Sequence, residues 1–252
     1  MEKYKVLFIG ESWFFTTTET KGTDQFTVGG YQTEIERVRE YMQDYADITH
    51  IPAHLVPELF PVSVEKLKEY DIVLISDVGA NTFLLHPDTF FQSKKTINRL
   101  ELIRSYVGQG GAFGMIGGYM TFMGIEGKGR YRGTPLEEIL PVYMKDHDDR
   151  QEIPQGFQPV LTVEGYSIMK ELKGEWSYLL GYNQTEAKKE AKVLMKYGDA
   201  PILAVGDYGE GRTFAWTSDC APHWMPEEFC KSEPNKKMWL KVFEWCVQKN
   251  SK

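Results

Sequence analysis

The chain has 252 residues, 42% of them hydrophobic and 26% charged, with 36 acidic against 29 basic side chains and a formal net charge of −7. A chain of this length can bury most of its apolar surface, which excludes disordered and fibrous classes. The acidic balance removes the attraction to phosphates on which nucleic-acid binding depends, and no apolar stretch is long enough for a membrane helix.

In chain order, Met-Glu-Lys-Tyr-Lys runs straight into Val6-Leu7-Phe8-Ile9. That apolar run is too short for a signal peptide and lacks a small-residue cleavage site, so a cytoplasmic setting is expected and Asn183-Gln184-Thr185 is only a formal glycosylation sequon. Short apolar runs then alternate with helix-like segments, the pattern of a mostly parallel sheet with helices on both faces. Strands are expected at Lys5–Gly10, Ala46–Ile51, Asp71–Asp77 and Ala112–Ile116, and helices at Tyr31–Tyr45, Val64–Tyr70 and Thr96–Gly108. In the first helix Ile35, Val38 and Met42 recur at helical spacing.

From Gly117 to Gly133 the chain is Gly-rich and aromatic without a period, a form typical of functional or mobile loops. A short helix-like Pro135–Leu140 follows, stopped by Pro141. Asp146-His147-Asp148-Asp149 with Glu152 is a dense acidic turn; cation binding is one reading, but no known ligand spacing fits, and a solvated charged loop is the default. The last third reads as strand-rich, with strands at Val160–Val163, Ala191–Met195, Ile202–Val205 and Arg212–Ser218, the last two joined through Tyr208-Gly209-Glu210-Gly211. Asn235–Lys249 closes the chain as an amphipathic helix. No linker or repeat appears, so residues 1–252 read as a single domain.

In open α/β sheets, ligands bind at the carboxyl ends of the strands, and polar residues there are the candidates for function. Glu11-Ser12-Trp13 follows the first strand; a Glu there serves as a hydrogen-bond anchor or as an acid. Asp77-Val78-Gly79 follows the third strand, and the Gly79 region reads either as a plain turn or as a set of backbone N–H groups for an anion. Gly114-Met115-Ile116-Gly117-Gly118-Tyr119 has the form of a nucleophile elbow, yet the tip residue is Ile116, and shifting the frame offers only Gly117 or Gly118. Trp216-Thr217-Ser218-Asp219-Cys220-Ala221-Pro222-His223-Trp224 ends the late strand, where Cys220 and His223 could form a thiolate–imidazole pair with Asp219 as orienting acid. Against that, cysteine is often only a small buried apolar residue. Cys220, Cys230 and Cys246 show no disulfide or metal-ligand spacing, and His50, His54 and His86 read as surface or structural. Gly206-Asp207-Tyr208-Gly209-Glu210-Gly211 lies in a hairpin and in the wrong order for a dinucleotide loop.

Three stretches together resemble the class I glutamine amidotransferase-like family. They are Glu11-Ser12-Trp13, the segment from Gly117-Gly118-Tyr119 through Thr134-Pro135-Leu136-Glu137 to Leu140-Pro141, and Gly209-x-Gly211-Arg212 through Trp216-Thr217-Ser218-Asp219 to Pro222-His223-Trp224. The resemblance spans nearly the whole chain. It implies a flavodoxin-like, mostly parallel sheet with helices on both faces, a strand-rich C-terminal elaboration, and a pocket at the strand carboxyl ends. Active relatives carry a cysteine at the elbow and a His-x-Glu pair late in the chain; here Ile116 stands at the elbow, and Trp224-Met225 follow His223.

The leading expectation is therefore a small polar ligand, sugar-like or carboxylate, held by Glu11, Trp13, Asp77, Gly79, Gly117, Gly118, Tyr119, Asp219, His223 and Trp224, without glutaminase chemistry and without metal or cofactor. A hydrolase or transferase using Cys220 with His223, or a water activated by Glu11 or His223, is the enzyme alternative. The aromatic content of 6 Trp, 14 Tyr and 14 Phe supports a third, a homo-oligomeric structural module.

Overall fold

A computed structural model describes residues 2–170, 172 and 176–247. The strands in chain order are β1 (Tyr4–Gly10), β2 (Ser12–Lys21), β3 (Asp24–Thr33), β4 (Ala46–Ile51), β5 (Ile72–Ser76), β6 (Ala112–Ile116) and β7 (Val142–Met144), followed by β8 (Arg150–Phe157), β9 (Val160–Leu161), β10 (Leu179–Asn183), β11 (Thr185–Ala187), β12 (Lys192–Tyr197), β13 (Ala200–Tyr208) and β14 (Gly211–Trp216). Eight of them form one sheet in the order β4-β1-β5-β6-β14-β13-β12-β9. The pairings from β4 to β14 are parallel, and those from β14 to β9 are antiparallel.

Period-two alternation divides the central strands between two cores. Val6 and Phe8 of β1, Ile72 and Leu74 of β5, and Phe214 and Trp216 of β14 face one side, where helix Ile35–Met42 and helix Glu233–Cys246 pack with Val38, Met42, Met238, Trp239 and Val242. Leu7, Ile9, Val73, Ile75, Phe113 and Met115 face the other, against Leu100, Ile103 and Val107 of helix Arg99–Gly108. Asn98 starts that helix by accepting from the Leu100 and Glu101 amides at 3.0 and 3.2 Å, and Ser232 caps the last one through the Asn235 amide at 3.2 Å. Both faces of the sheet are covered, which explains why its central strands read as unbroken apolar runs.

Several boundaries differ from expectation. The third strand is Ile72–Ser76 rather than Asp71–Asp77, and the helices begin or end short at Ile35–Met42, Val64–Leu67 and Arg99–Gly108. Tyr31–Thr33, expected as helix, belong to β3 instead. Val163 starts helix Val163–Ile168 rather than ending a strand, because the Thr162 hydroxyl caps it at the Gly165 amide. The closing helix spans Glu233–Cys246, and of its expected extent Gln248 and Lys249 lie outside the described residues.

Three two-stranded sheets had no counterpart in the sequence reading: β2–β3, β7–β11 and β8–β10. β8 carries Pro154 and a register shift in its pairing, so neither its composition nor its alternation announces a strand. Among the described residues, no helix is long and apolar enough to cross a membrane.

Candidate functional site

Parallel pairing brings the carboxyl ends of β1, β5, β6 and β14 to one edge: Gly10 lies beside Ser76, Ser76 beside Ile116, and Ile116 beside Trp216. The residues that follow these ends therefore meet in space, although they come from four distant stretches of chain. Glu11 and Asp77, the first residues after β1 and β5, both adopt left-handed backbone conformations, with φ of 48° and 45°. Non-glycine residues are strained there, and such strain concentrates at functional sites.

Glu11 is 3% exposed. Its Oε2 accepts from the Ser76 hydroxyl at 2.6 Å and from the Cys220 thiol at 3.6 Å, and Ser76 Oγ lies 3.4 Å from Cys220 Sγ. Asp219 is also buried and accepts from the Cys220 amide at 2.7 Å and the Ala221 amide at 3.4 Å. Asp77 Oδ1 accepts from the Met120 amide at 2.7 Å. Three carboxyl groups thus crowd one corner of the sheet.

Burial, reinforced by the charge of Asp77, pushes the Glu11 carboxyl up to about 7. Burial likewise raises Asp77, and it raises Asp219 well above the usual carboxylate range, with Glu11 and Asp77 adding to the effect. Glu11 is thus about half protonated near neutral pH, and the cluster takes up protons more readily than free carboxyl groups do. Glu11, Asp219 and Cys220 offer one donor atom each within 4.8 Å of one another, so the same set could meet a cation once deprotonated, but the Ser76 and Cys220 donors into Glu11 satisfy it without one.

Over the acids lies an aromatic cap. The Tyr119 and His223 rings are 4.1 Å apart at 33°, and Trp224 lies 5.7 Å from Tyr119. Tyr119 and Trp224 donate to the two oxygens of Glu152 at 2.9 and 3.0 Å, while the Arg150 guanidinium sits 4.6 Å from the Tyr119 ring. The Trp224 ring is buried, whereas the His223 side chain is 45% exposed with Nδ1 3.9 Å from Asp219 Oδ2. His223 and Tyr119 are therefore the accessible surface above a proton-holding cluster.

The elbow does not form. Gly117 and Gly118 follow β6, but the next helical segment is only the 3₁₀ turn Ile125–Gly127. A Cβ on Gly117 would lie 2.2 Å from the Thr217 carbonyl oxygen, and one on Gly118, whose φ is 152°, would lie 2.9 Å from Asp77 Oδ1. Ile116 itself is buried. The backbone at this tip is packed against β14 and Asp77, with no room for a nucleophilic side chain unless something moves.

Cys220 and His223 do not pair. The thiol points to Glu11 and Ser76, and burial, with Glu11 and Asp219 nearby, pushes it well above its ordinary value, the opposite of what a nucleophilic thiolate needs. Native Cys220 is expected to remain unmodified by iodoacetamide near neutral pH on the timescale on which a free thiol is consumed. Mass spectrometry of the labelled peptide checks this, and prompt carbamidomethylation of folded protein would contradict it.

Trp13 and Gly79 stand apart from the cluster. Trp13 lies at the foot of the β2–β3 hairpin with Nε1 donating to Gln32 Oε1 at 3.2 Å. Gly79 precedes helix Ala80–Leu84, and the Ala80 amide donates to the Gly129 carbonyl at 2.9 Å, so that N–H is not free for an anion. The other histidines have structural partners: His50 meets the Gly10 carbonyl, His54 packs on Phe14 and Tyr31, and His86 accepts from the Asp88 amide.

The acidic turn is solvated only in part: Asp146, His147 and Glu152 are exposed, whereas Asp149 turns inward. Asp149 is fully buried, its Oδ1 accepting from the Gly124 amide and Asn183 Nδ2, both at 2.8 Å, and its Oδ2 from the Met123 amide at 3.0 Å. Asn183 in turn accepts from the Gly118 amide at 2.9 Å and donates to the Gly118 carbonyl at 3.1 Å. Asp148 is held well below its ordinary value by Arg150, Asp146 lies beside His147 and Arg132, and Glu152 carries the aromatic cap. Ser76, Arg150 and Asn183 are thus site-forming residues with no place among the sequence candidates, and Asp149 and Glu152, considered there only as possible cation ligands, serve instead as hydrogen-bond acceptors. Only the aspartate run gave any local signal.

This geometry can be set beside known proteins. The family model described as "Putative glutamine amidotransferase" matches residues 5–248. The chain belongs to this amidotransferase family. Two solved structures of Salmonella typhimurium are similar to the amidotransferase-like chain at 40% identity over 96% of its length: Cytoplasmic Protein STM3548 with a TM-score of 0.91 and 98% of that chain covered, and Cytoplasmic Protein STM1381 of strain LT2 with 0.90 and 99%. A ThuA-like protein of Bacteroides uniformis ATCC 8492, 13% identical with 99% of this chain and 94% of that chain covered, shares the fold at a TM-score of 0.53. No curated protein matches significantly in sequence.

Proposed function

We propose that this amidotransferase-family chain lacks glutaminase activity and binds a small, uncharged, hydroxyl-rich ligand at the carboxyl ends of β1, β5, β6 and β14. The parallel part of its sheet is read as flavodoxin-like and the antiparallel part as an elaboration, both within a single domain. A cytoplasmic setting agrees with the names of the two Salmonella neighbours and with three free buried cysteines.

The observation that carries this reading is the stacked pair of half-buried Tyr119 and exposed His223 beside Asp77 and Asp219, which in turn adjoin Glu11. An aromatic face packs against the apolar side of a sugar or polyol ring, while carboxyl groups that hold protons can both donate to and accept from hydroxyls. The negative charge that the three acids retain opposes an anionic ligand, which favours a neutral compound over a carboxylate. Glutaminase chemistry would need a nucleophile at the elbow, where Ile116 is buried and Gly117 and Gly118 are packed against Thr217 and Asp77.

Thermal shift against a panel of neutral sugars and polyols tests the reading. At least one compound is expected to raise the melting temperature of the native chain, by an amount corresponding to about 2.7 kcal/mol at a hundredfold excess over its dissociation constant. The gain should vanish in His223→Ala, and glutamate release from glutamine should stay at the buffer rate. Stabilisation that survives His223→Ala, or glutamine hydrolysis above background, defeats the proposal.

A second reading, hydrolysis or group transfer with Glu11 moving a proton, rests on its carboxyl lying near 7, the range in which a general acid or base works best. It would show as turnover of the stabilising compound that Glu11→Gln abolishes while binding persists.

A further inference from the structure

The Gly117–Gly133 loop ends in Gly127-Lys128-Gly129-Arg130-Tyr131-Arg132-Gly133, a basic stretch in a chain of net charge −7. Burial alternates along it: Gly129 and Tyr131 are buried, while Lys128, Arg130 and Arg132 are exposed. The inward residues are pinned. The Gly129 amide donates to the Met123 carbonyl at 2.7 Å, and the Gly129 carbonyl accepts from the Ala80 amide at 2.9 Å. The Tyr131 amide donates to the Phe122 carbonyl at 3.1 Å, and its hydroxyl donates to the Val78 carbonyl at 2.6 Å. Arg130, held between them, has a left-handed backbone with φ of 60°. Such a conformation is costly for a non-glycine residue and persists only where the surroundings impose it, as at ligand clamps.

Arg130 and Arg132 both line a cleft of 870 Å³, within the range of roughly 300–1,000 Å³ that small-molecule sites occupy. Leu84 and Leu85, at the end of helix Ala80–Leu84, and Met123 give the cleft an apolar wall. Its two acids are already engaged. Glu137 accepts from the Gly133 and Met144 amides at 2.7 and 2.8 Å, and Asp146 lies 2.8 Å from His147 Nδ1 and 3.7 Å from Arg132.

Every other arginine of the chain has a partner. Arg37, Arg39, Arg104, Arg132, Arg150 and Arg212 meet carboxylates, and Arg99 donates to the Pro57 and Phe83 carbonyls. Arg130 has neither an ion pair nor a side-chain hydrogen bond among the described residues, although acids outnumber bases 36 to 29. The guanidinium left without a carboxylate is thus the one that a strained backbone holds at the cleft.

We propose that this cleft binds an organic carboxylate with an apolar body, the carboxylate taken by Arg130 and the body lying on Leu84, Leu85 and Met123. A guanidinium presents a planar fork that meets a carboxylate through two parallel N–H···O bonds. One unpartnered guanidinium balances one negative charge, and in a chain of net −7 that favours a monoanion over a phosphate dianion. The apolar wall supplies the area that a bare inorganic anion could not use. This ligand differs in charge from the neutral compound proposed for the strand edge, so the two sites can be told apart.

Isothermal titration of the native chain with phenylacetate in low-salt buffer tests the proposal. Saturable binding is expected. Acetate, which lacks the apolar body, and phenylacetamide, which lacks the charge, should each bind at least tenfold more weakly, and phenyl phosphate should bind no more tightly. Arg130→Gln should weaken phenylacetate at least tenfold while melting with the native chain, because the side chain it replaces is exposed and unpartnered. His223→Ala, altered at the strand edge, should bind phenylacetate as the native chain does. No binding up to about 10 mM phenylacetate, a weaker affinity than a charge-assisted fork and an apolar contact supply together, overturns the proposal. So does an affinity that Arg130→Gln leaves unchanged, binding that His223→Ala abolishes, or a preference for phenyl phosphate.

Discussion

Asp149→Ala is expected to lower stability by about 3–5 kcal/mol, because it takes the acceptor from three hydrogen-bond donors at once. The carboxylate is the common acceptor for the Met123 and Gly124 amides and for Asn183 Nδ2. Truncation leaves all three donors buried without partners, at roughly 1–3 kcal/mol for each unsatisfied group. The loss should also spread, because Asn183 holds both the N–H and the C=O of Gly118 and thereby fixes the turn that follows β6.

In a chain of this size the melting temperature should fall by about 10 °C. Asn183→Ala should lie in the same range, and the double variant should cost clearly less than the sum, since both substitutions break one network. Melting curves of the four proteins check this. A drop of under about 2 °C for Asp149→Ala would mean that Asp149 does not anchor the loop.

Glu11→Gln is expected to make the protein more stable than the native chain at pH 8 and no more stable at pH 4.5. The folded-state carboxyl sits near 7 against an ordinary value of 4.5, so across that interval the folded chain binds the extra proton. Stability contributed by this group is fully present below pH 4.5 and is lost as pH rises through 7. At about 1.4 kcal/mol per pH unit the loss is about 3.5 kcal/mol, or roughly 7–14 °C in melting temperature.

Asp77 and Asp219, also raised, act in the same direction. Glutamine cannot ionise, and its carbonyl can still accept from Ser76 Oγ, so the variant keeps the hydrogen bond and loses the penalty. Melting curves from pH 4.5 to 8 for both proteins decide it: parallel curves would show that Glu11 does not titrate in this range.

The two networks explain what could be read in advance. Strands β1, β5, β6 and β13 were legible as apolar runs bounded by turn residues, and β4 and β14 as β-branched and aromatic segments with turn residues beside them. Glu11, Asp77, Asp219 and His223 were legible as candidates because a parallel sheet carries the residues after its strands to one edge. Their protonation was not, since it arises from mutual proximity and burial. Asp149 was misread as solvated because a run of aspartates on a turn has the same local composition whether it faces water or the backbone of a loop twenty-five residues earlier.

The β2–β3 arm escaped notice for a different reason. Strands show as alternation when one face is buried, and this arm has water on both, so Thr16–Thr20 is polar throughout and Phe26–Tyr31 mixes polar and apolar residues without a core to sort them.

By itself the sequence determined the alternating α/β order, the family resemblance and the missing elbow nucleophile, all properties of local pattern and residue identity. Tertiary structure alone decided that Cys220 belongs to Glu11 and Ser76 rather than to His223, that Gly117 has no space for a side chain, and that the acids hold protons. Each of these depends on groups far apart in the chain approaching within a few ångströms in a medium that disfavours charge, and no local pattern encodes that approach.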